Sequence, residues 1–239
     1  MLSDYNCRIF ESDGYNSIFN KYNSPEAEIA RIIDDIKILG SCGFHRLVSL
    51  IDHRPTDSVS QTLHSIDLTR KKISSHIRGD LARISFYPSV FLSEELPYIK
   101  NIKSLALPRT NYIFIKSPIP EMPSYYPSAI NKLLYSLDLI PVFCNFQICN
   151  ILYPPHEIEK LLRISRAAFQ FDISSIYLPE NIITIKNILK NGNTVLLGTG
   201  FTHSKLNRSI ISKSLEKLKK SLSSEEYMTL VVRSHKFPM

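Results

Sequence analysis

Asp52 and His53, adjacent in Leu50-Ile51-Asp52-His53-Arg54-Pro55, are residues whose types could move a proton or hold a cation. Asp172 ends the run Ala167-Ala168-Phe169-Gln170-Phe171-Asp172, and His203 ends Gly198-Thr199-Gly200-Phe201-Thr202-His203. Carboxylates and imidazoles are the raw material of general acid–base catalysis and of metal ligation. The same groups also serve as hydrogen-bonding side chains at strand ends, and both readings stand for all four. Two other chemistries lack their spacing. Gly198 to Lys205 has glycines and a Ser-Lys pair after an apolar run, but not the GxxxxGK[ST] pattern of a phosphate loop. Neither Cys144 nor Cys149 is followed by the arginine that a cysteine phosphatase loop needs.

These residues must be positioned by the elements before them. The clearest unit is Leu107 to Asn150, where Tyr112 to Lys116 alternates like a strand and Ile130, Leu133, Leu134 and Leu137 recur at helical spacing. Ile140 to Cys144 then reads as a second buried strand, parallel to the first. Further strands are expected at Cys7–Phe10, Phe44–Leu50, Leu81–Tyr87, Ala167–Asp172 and Thr194–Leu197. Helices are expected from Pro25 to Gly40, Pro55 to His76, Pro155 to Arg166 and Pro179 to Lys190, with two more after Asn207. Asn191-Gly192-Asn193 suits a left-handed helix end. Loops that follow parallel strands gather at one end of such a sheet, so Asp52, His53, Asp172 and His203 are expected to converge there.

The wording of the central unit carries a resemblance. Pro141-Val142-Phe143-Cys144-Asn145-Phe146-Gln147-Ile148, the Phe169-Gln170 strand and the Leu197-Gly198-Thr199 turn follow one another at compatible distances. In this the chain resembles the bacterial tyrosine phosphatases of capsule and exopolysaccharide biosynthesis, the CpsB/YwqE type of the polymerase and histidinol phosphatase (PHP) superfamily. The resemblance runs from about Cys7 to the C-terminus and implies an α/β fold, a PHP-type distorted (β/α)7 TIM-like barrel forming a single domain over residues 1–239.

The resemblance also implies where the family's metal ligands would fall, on Phe10, Ser12, Asp52, Arg83, Asn145, Gly200 and Thr202. Only Asp52 is a plausible ligand among them. Family members use Mn, Fe or Zn to activate a water nucleophile. The replacements imply no cofactor here, and a catalytically degenerate pseudophosphatase that binds a partner or ligand. A tyrosine-kinase tail or a polysaccharide-assembly protein is the implied partner class. The alternative is an active tyrosine phosphatase or phosphoesterase, with a site rebuilt from Asp52, Asp172 and His203 or with His53 or His203 as a metal-free base. Arg83 falls where the family has a metal-bridging glutamate. A buried guanidinium is costly unless paired, so Arg83 is expected to meet Asp52 or Asp172.

Composition adds bounds. The chain has 239 residues, 44% of them hydrophobic, enough for one large core. No apolar run approaches the length of a membrane span and the N-terminus lacks a signal-peptide core, so a cytoplasmic protein is expected. Four scattered cysteines suit reduced thiols better than a disulfide framework or zinc site. The formal charge of +7 suits an acidic partner. No nucleic-acid motif accompanies it, which leaves polyanion binding as the weakest of the readings and specific nucleic-acid recognition unexpected.

Overall fold

A computed structural model describes residues 2–5, 25–77, 82–199 and 208–238. Among the described residues seven strands lie side by side in sequence order, and every neighbouring pair is parallel. They are β1 (Leu2–Asp4), β2 (Phe44–His53), β3 (Arg83–Phe91), β4 (Tyr112–Lys116), β5 (Ile140–Cys144), β6 (Ala168–Asp172) and β7 (Thr194–Gly198). The helices that return the chain are α1 (Pro25–Ser41), α2 (Val59–Ser74), α3 (Tyr126–Asn131), α4 (Phe146–Leu152), α5 (Pro155–Leu162), α6 (Pro179–Lys190), α7 (Arg208–Ser221) and α8 (Ser224–Lys236). Local chemistry sets their ends. Ser58 and Ser223 each open a helix with a capping box, closed by Gln61 and Glu226, so that donors otherwise orphaned at the helix start find partners. Gly43 and Gly192, with φ of 91° and 82°, make the turns into β2 and β7.

The sheet bends into a nearly closed barrel. Tyr5 N–H donates to the Leu197 carbonyl at 2.9 Å, joining the first strand to the last. Beside that bond, the wholly buried Asp4 carboxylate accepts from the Thr199 backbone N–H at 3.0 Å and from its hydroxyl at 2.8 Å. Alternate residues along each strand then face inward. Val48, Tyr87, Phe114, Val142, Ala168 and Leu196 fill the interior, while residues such as Ile113, Phe143, Phe169 and Phe171 meet the helices outside. Phe237, just past α8, is 4% exposed and closes the floor against Tyr5 and Tyr112, with ring centroids 5.8 and 4.7 Å away.

The strands β4 to β7 and the helices α1 and α6 occur within a residue or two of their expected bounds, whereas β2 runs three residues further, to His53, α2 starts four residues later, α5 ends four residues earlier, and α4 is an addition. Two differences matter for the site. Cys7–Phe10 lies outside the described residues and the first strand is Leu2–Asp4, so the position after its end is Tyr5. The third strand begins at Arg83 and continues through Pro88 to Phe91, four residues beyond the expected end at Tyr87.

Replacing Asp4 by Ala removes an acceptor from two buried donors of Thr199, and charged hydrogen bonds of this kind contribute about 1.5–3 kcal/mol each. Asp4→Ala is expected to cost about 3 kcal/mol in urea unfolding, with Asp4→Asn in between.

Candidate functional site

The C-terminal ends of the strands form a mouth whose inner wall is set by strand register. Asp52 pairs with Ser89 across β2 and β3, and Lys116 pairs with Cys144 across β4 and β5. Counting in steps of two from Val48, Tyr87, Phe114 and Val142 places Asp52, Ser89, Lys116 and Cys144 on the face that lines the barrel. There the Lys116 ammonium lies 2.5 Å from Asp52 Oδ1, and the Ser89 hydroxyl donates to the same oxygen at 2.6 Å. The Lys116 and Asp52 side chains are only 19% and 16% exposed. Lys116 also stands 5.4 Å from the centre of the Phe91 ring. Cys144 is buried beside them, and burial pushes its thiol up to about 12, with Asp52 and Asp172 adding to the effect and Lys116 opposing it. At neutral pH it is a protonated thiol and a poor nucleophile.

A second set of contacts joins β5 to β6. Asn145, which follows β5, holds a left-handed φ of 52°, a conformation asparagine tolerates better than most residues. Its N–H donates to Gln170 Oε1 at 2.7 Å, and Gln170 Nε2 donates to Asp172 Oδ1 at 3.1 Å. Asp172 N–H in turn donates to Gln147 Oε1 at 3.0 Å. Gln170 and Gln147 thus act as braces between backbone groups that the strand ends leave without ladder partners.

Asp52 and Asp172 are both at the mouth. His53 is not. It is 4% exposed on the outer side of β2, where Nδ1 lies 2.7 Å from Thr62 Oγ1 of α2, and burial lowers its pKa while Asp57 opposes the shift. Arg83 is a correction. It sits at the start of β3, exposed and paired in register with Arg46, six residues before Ser89. At about 3.3 Å per residue that is about 20 Å from Asp52, at the other end of the barrel. Phe10, Ser12, Gly200, Thr202 and His203 lie outside the described residues. The cation that does meet Asp52, Lys116, was missed, although a lysine closing the apolar run Tyr112–Ile115 at a strand's C-terminal end was a signal for it.

The described part of the mouth offers few donors for a di- or trinuclear metal centre. Oδ1 of Asp52 is occupied by an ammonium and a hydroxyl. Among the described residues no group of three or more His, Cys, Asp or Glu side chains is placed to hold a metal ion.

Two outcomes are expected. Attraction between charges 2.5 Å apart is roughly 7 kcal/mol at an effective dielectric near 20, and desolvation of both groups offsets most of it. Lys116→Met, which strands Asp52, should lower stability by about 2 kcal/mol, and adding Asp52→Leu should recover much of the loss in a double-mutant cycle. His53 gives a pH signature. Its folded pKa lies below 6.5, so between 6.5 and that lower value the unfolded chain takes up a proton that the folded chain refuses. Stability should be level above pH 6.5 and fall as the pH drops below it, and urea midpoints of His53→Gln should lose that slope.

No protein-family model matches the sequence, and no curated protein matches it. Solved structures do match in fold. One, described as YwqE from Bacillus subtilis and CpsB from Streptococcus pneumoniae, metal-dependent tyrosine phosphatases, superimposes with a TM-score of 0.68 at 16% identity, covering 98% of this chain and 95% of that one. An organophosphorus hydrolase mutant from Deinococcus radiodurans gives 0.54 at 10% identity, over 98% of this chain and 91% of that one. The phosphotriesterase homology protein from Escherichia coli gives 0.52 at 11% identity, over 100% and 98% of the two chains. The likeness is one of fold: the chain is a TIM-like barrel of parallel strands, similar in structure to the CpsB/YwqE phosphatases.

Proposed function

We propose that this protein is a pseudophosphatase: it keeps the barrel of a PHP-type tyrosine phosphatase and uses it to bind, without metal-assisted hydrolysis. The observation that carries the reading is the Lys116 ammonium on Asp52. A metal-dependent phosphatase needs cations at the strand ends to activate water and to neutralise the phosphoryl oxygens. Here Asp52 is committed to a fixed cation from the chain itself, and the hydroxyl of Ser89 completes its shell. An ammonium can attract an anion, but it cannot lower the pKa of a bound water to near neutrality as a divalent ion does.

The partner class follows from the likeness in fold to a tyrosine phosphatase. The tail of a tyrosine kinase, or another protein of capsular or exopolysaccharide assembly, would be held at the mouth and left chemically unchanged. The active-enzyme alternative gains nothing from His53, which faces α2 instead of the mouth.

Metal analysis of protein purified without chelator, joined to a phosphatase assay, tests this reading. Less than one equivalent of zinc, manganese or iron is expected, and no turnover of phosphotyrosine peptides with any added divalent ion. Two or more tightly bound ions per chain, or turnover that disappears in Asp52→Ala, would overturn it.

A further inference from the structure

We propose that the flank of the barrel where α4 and α6 lie side by side is the two-fold interface of a homodimer. The inference holds whether or not the mouth binds or catalyses anything.

Two observations carry it. The first is a local inversion of polarity. Helices on the outside of a barrel bury apolar side chains and show polar ones, yet where α4 meets α6 polar groups lie inside. Asn150 Nδ2 of α4 donates to Asn181 Oδ1 of α6 at 2.9 Å, and Thr184 Oγ1 donates to Asn150 Oδ1 at 2.8 Å. Asn181 Nδ2 in turn donates to the Ser175 carbonyl at 3.0 Å. Asn181 is wholly buried and Thr184 nearly so. These bonds clamp the two helices together and leave Ile151, Leu152 and Ile183 outside, 57%, 45% and 61% exposed. A single exposed apolar residue is ordinary on a protein surface, whereas three held over a buried polar clamp form a patch that marks a contact.

The second observation is the order of charge along α6. Its outward stripe runs Glu180, Ile183, Asn187 and Lys190, with Lys186 beside it, so an acid stands at the start and bases at the end. A second copy laid alongside in the same direction would set Glu180 against Glu180 and Lys190 against Lys190. Turned end for end about Ile183, it brings Lys186 level with Glu180 of the first copy and opposes the two helix dipoles. The stripe is thus complementary to itself, as an isologous contact requires. The net charge of +7 repels copies from one another, so they associate only through a locally balanced seam such as this one. A purely acidic or purely basic partner segment would meet its own sign at one end of the stripe. Three apolar anchors are few against the roughly 20–30 residues a side of a standard interface, so a dissociation constant of about micromolar order is expected. Both helices start at the strand ends that form the mouth, so in the end-for-end pair the two mouths open in opposite directions and neither is covered.

Analytical ultracentrifugation of the full chain tests the proposal over about 1–200 μM. A mass rising from 27.4 kDa towards twice that value is expected. Ile183→Glu, an exposed change that should leave the thermal midpoint in place, should weaken dimerisation about tenfold or more. The control Leu68→Glu, on the exposed side of α2 across the barrel, should stay within about twofold. Because position 183 meets itself across a two-fold axis, Ile183→Glu protein mixed with Ile183→Lys protein should associate about tenfold more tightly than either alone. A chain that stays monomeric, whether or not it binds phosphatidylglycerol vesicles, equal losses in Ile183→Glu and Leu68→Glu, or a mixture no tighter than its components would overturn the proposal.

Discussion

A carboxylate on the inner wall of a barrel has lost most of its water and must be matched by a cation. Asp52 meets that constraint with Lys116, one strand beyond its neighbour β3, and Ser89 between them supplies the hydroxyl that fills the gap. The arrangement orders three strand ends at once. It also fixes the character of the mouth, because a cation tethered by a side chain cannot be exchanged, lost to a chelator or used to bind water as a Lewis acid. Neighbouring groups follow suit: the buried Cys144 thiol stays protonated, and Gln170 and Gln147 brace the ends of β5 and β6 with neutral hydrogen bonds.

Much of this was legible in the sequence. β4 and β5 were readable to the residue because β-branched alternation and a short apolar run are bounded by polar turns. The helices announced themselves through caps and apolar spacing. Register was the part that local pattern could not supply. Pro88 looks like the end of a strand, since proline cannot donate to a ladder, yet it pairs with Ile51 inside β3. Ending the strand at Tyr87 shifted its C-terminal end by four residues and carried Arg83 toward the mouth. The true neighbour of Asp52, Ser89, is visible only when two strands are laid side by side. Lys116 was not legible for a different reason: the partner of a strand-final lysine is fixed only by the walls on either side of it.

The two ends of the barrel divide the chemistry between them. At the mouth, opposite charges are brought together and neutralised within the wall. At the other end, arginines adjoin one another and occupy strained turns. A net charge of +7 says nothing about where the excess sits, and the topology does that sorting. Helices antiparallel to the strands deliver their cationic last turns to the face where the next strand begins, which complements each helix dipole and concentrates positive potential there.

Ring closure has a consequence for how the chain reaches this state. The bonds between Asp4 and Thr199 join residues 195 apart in sequence, and the floor is completed only when Phe237 packs on Tyr5. Neighbouring strands such as β4 and β5 pair across a crossover of 23 residues (117–139), whereas closing so long a loop adds a larger entropic cost that is met only once the other strands are in place. Until then the protein is an open parallel sheet with β1 and β7 as bare edges, each able to pair with another molecule. Closing the ring is thus the step that removes the last bare edges, and the buried aspartate near the start of the chain is among the groups that hold it closed.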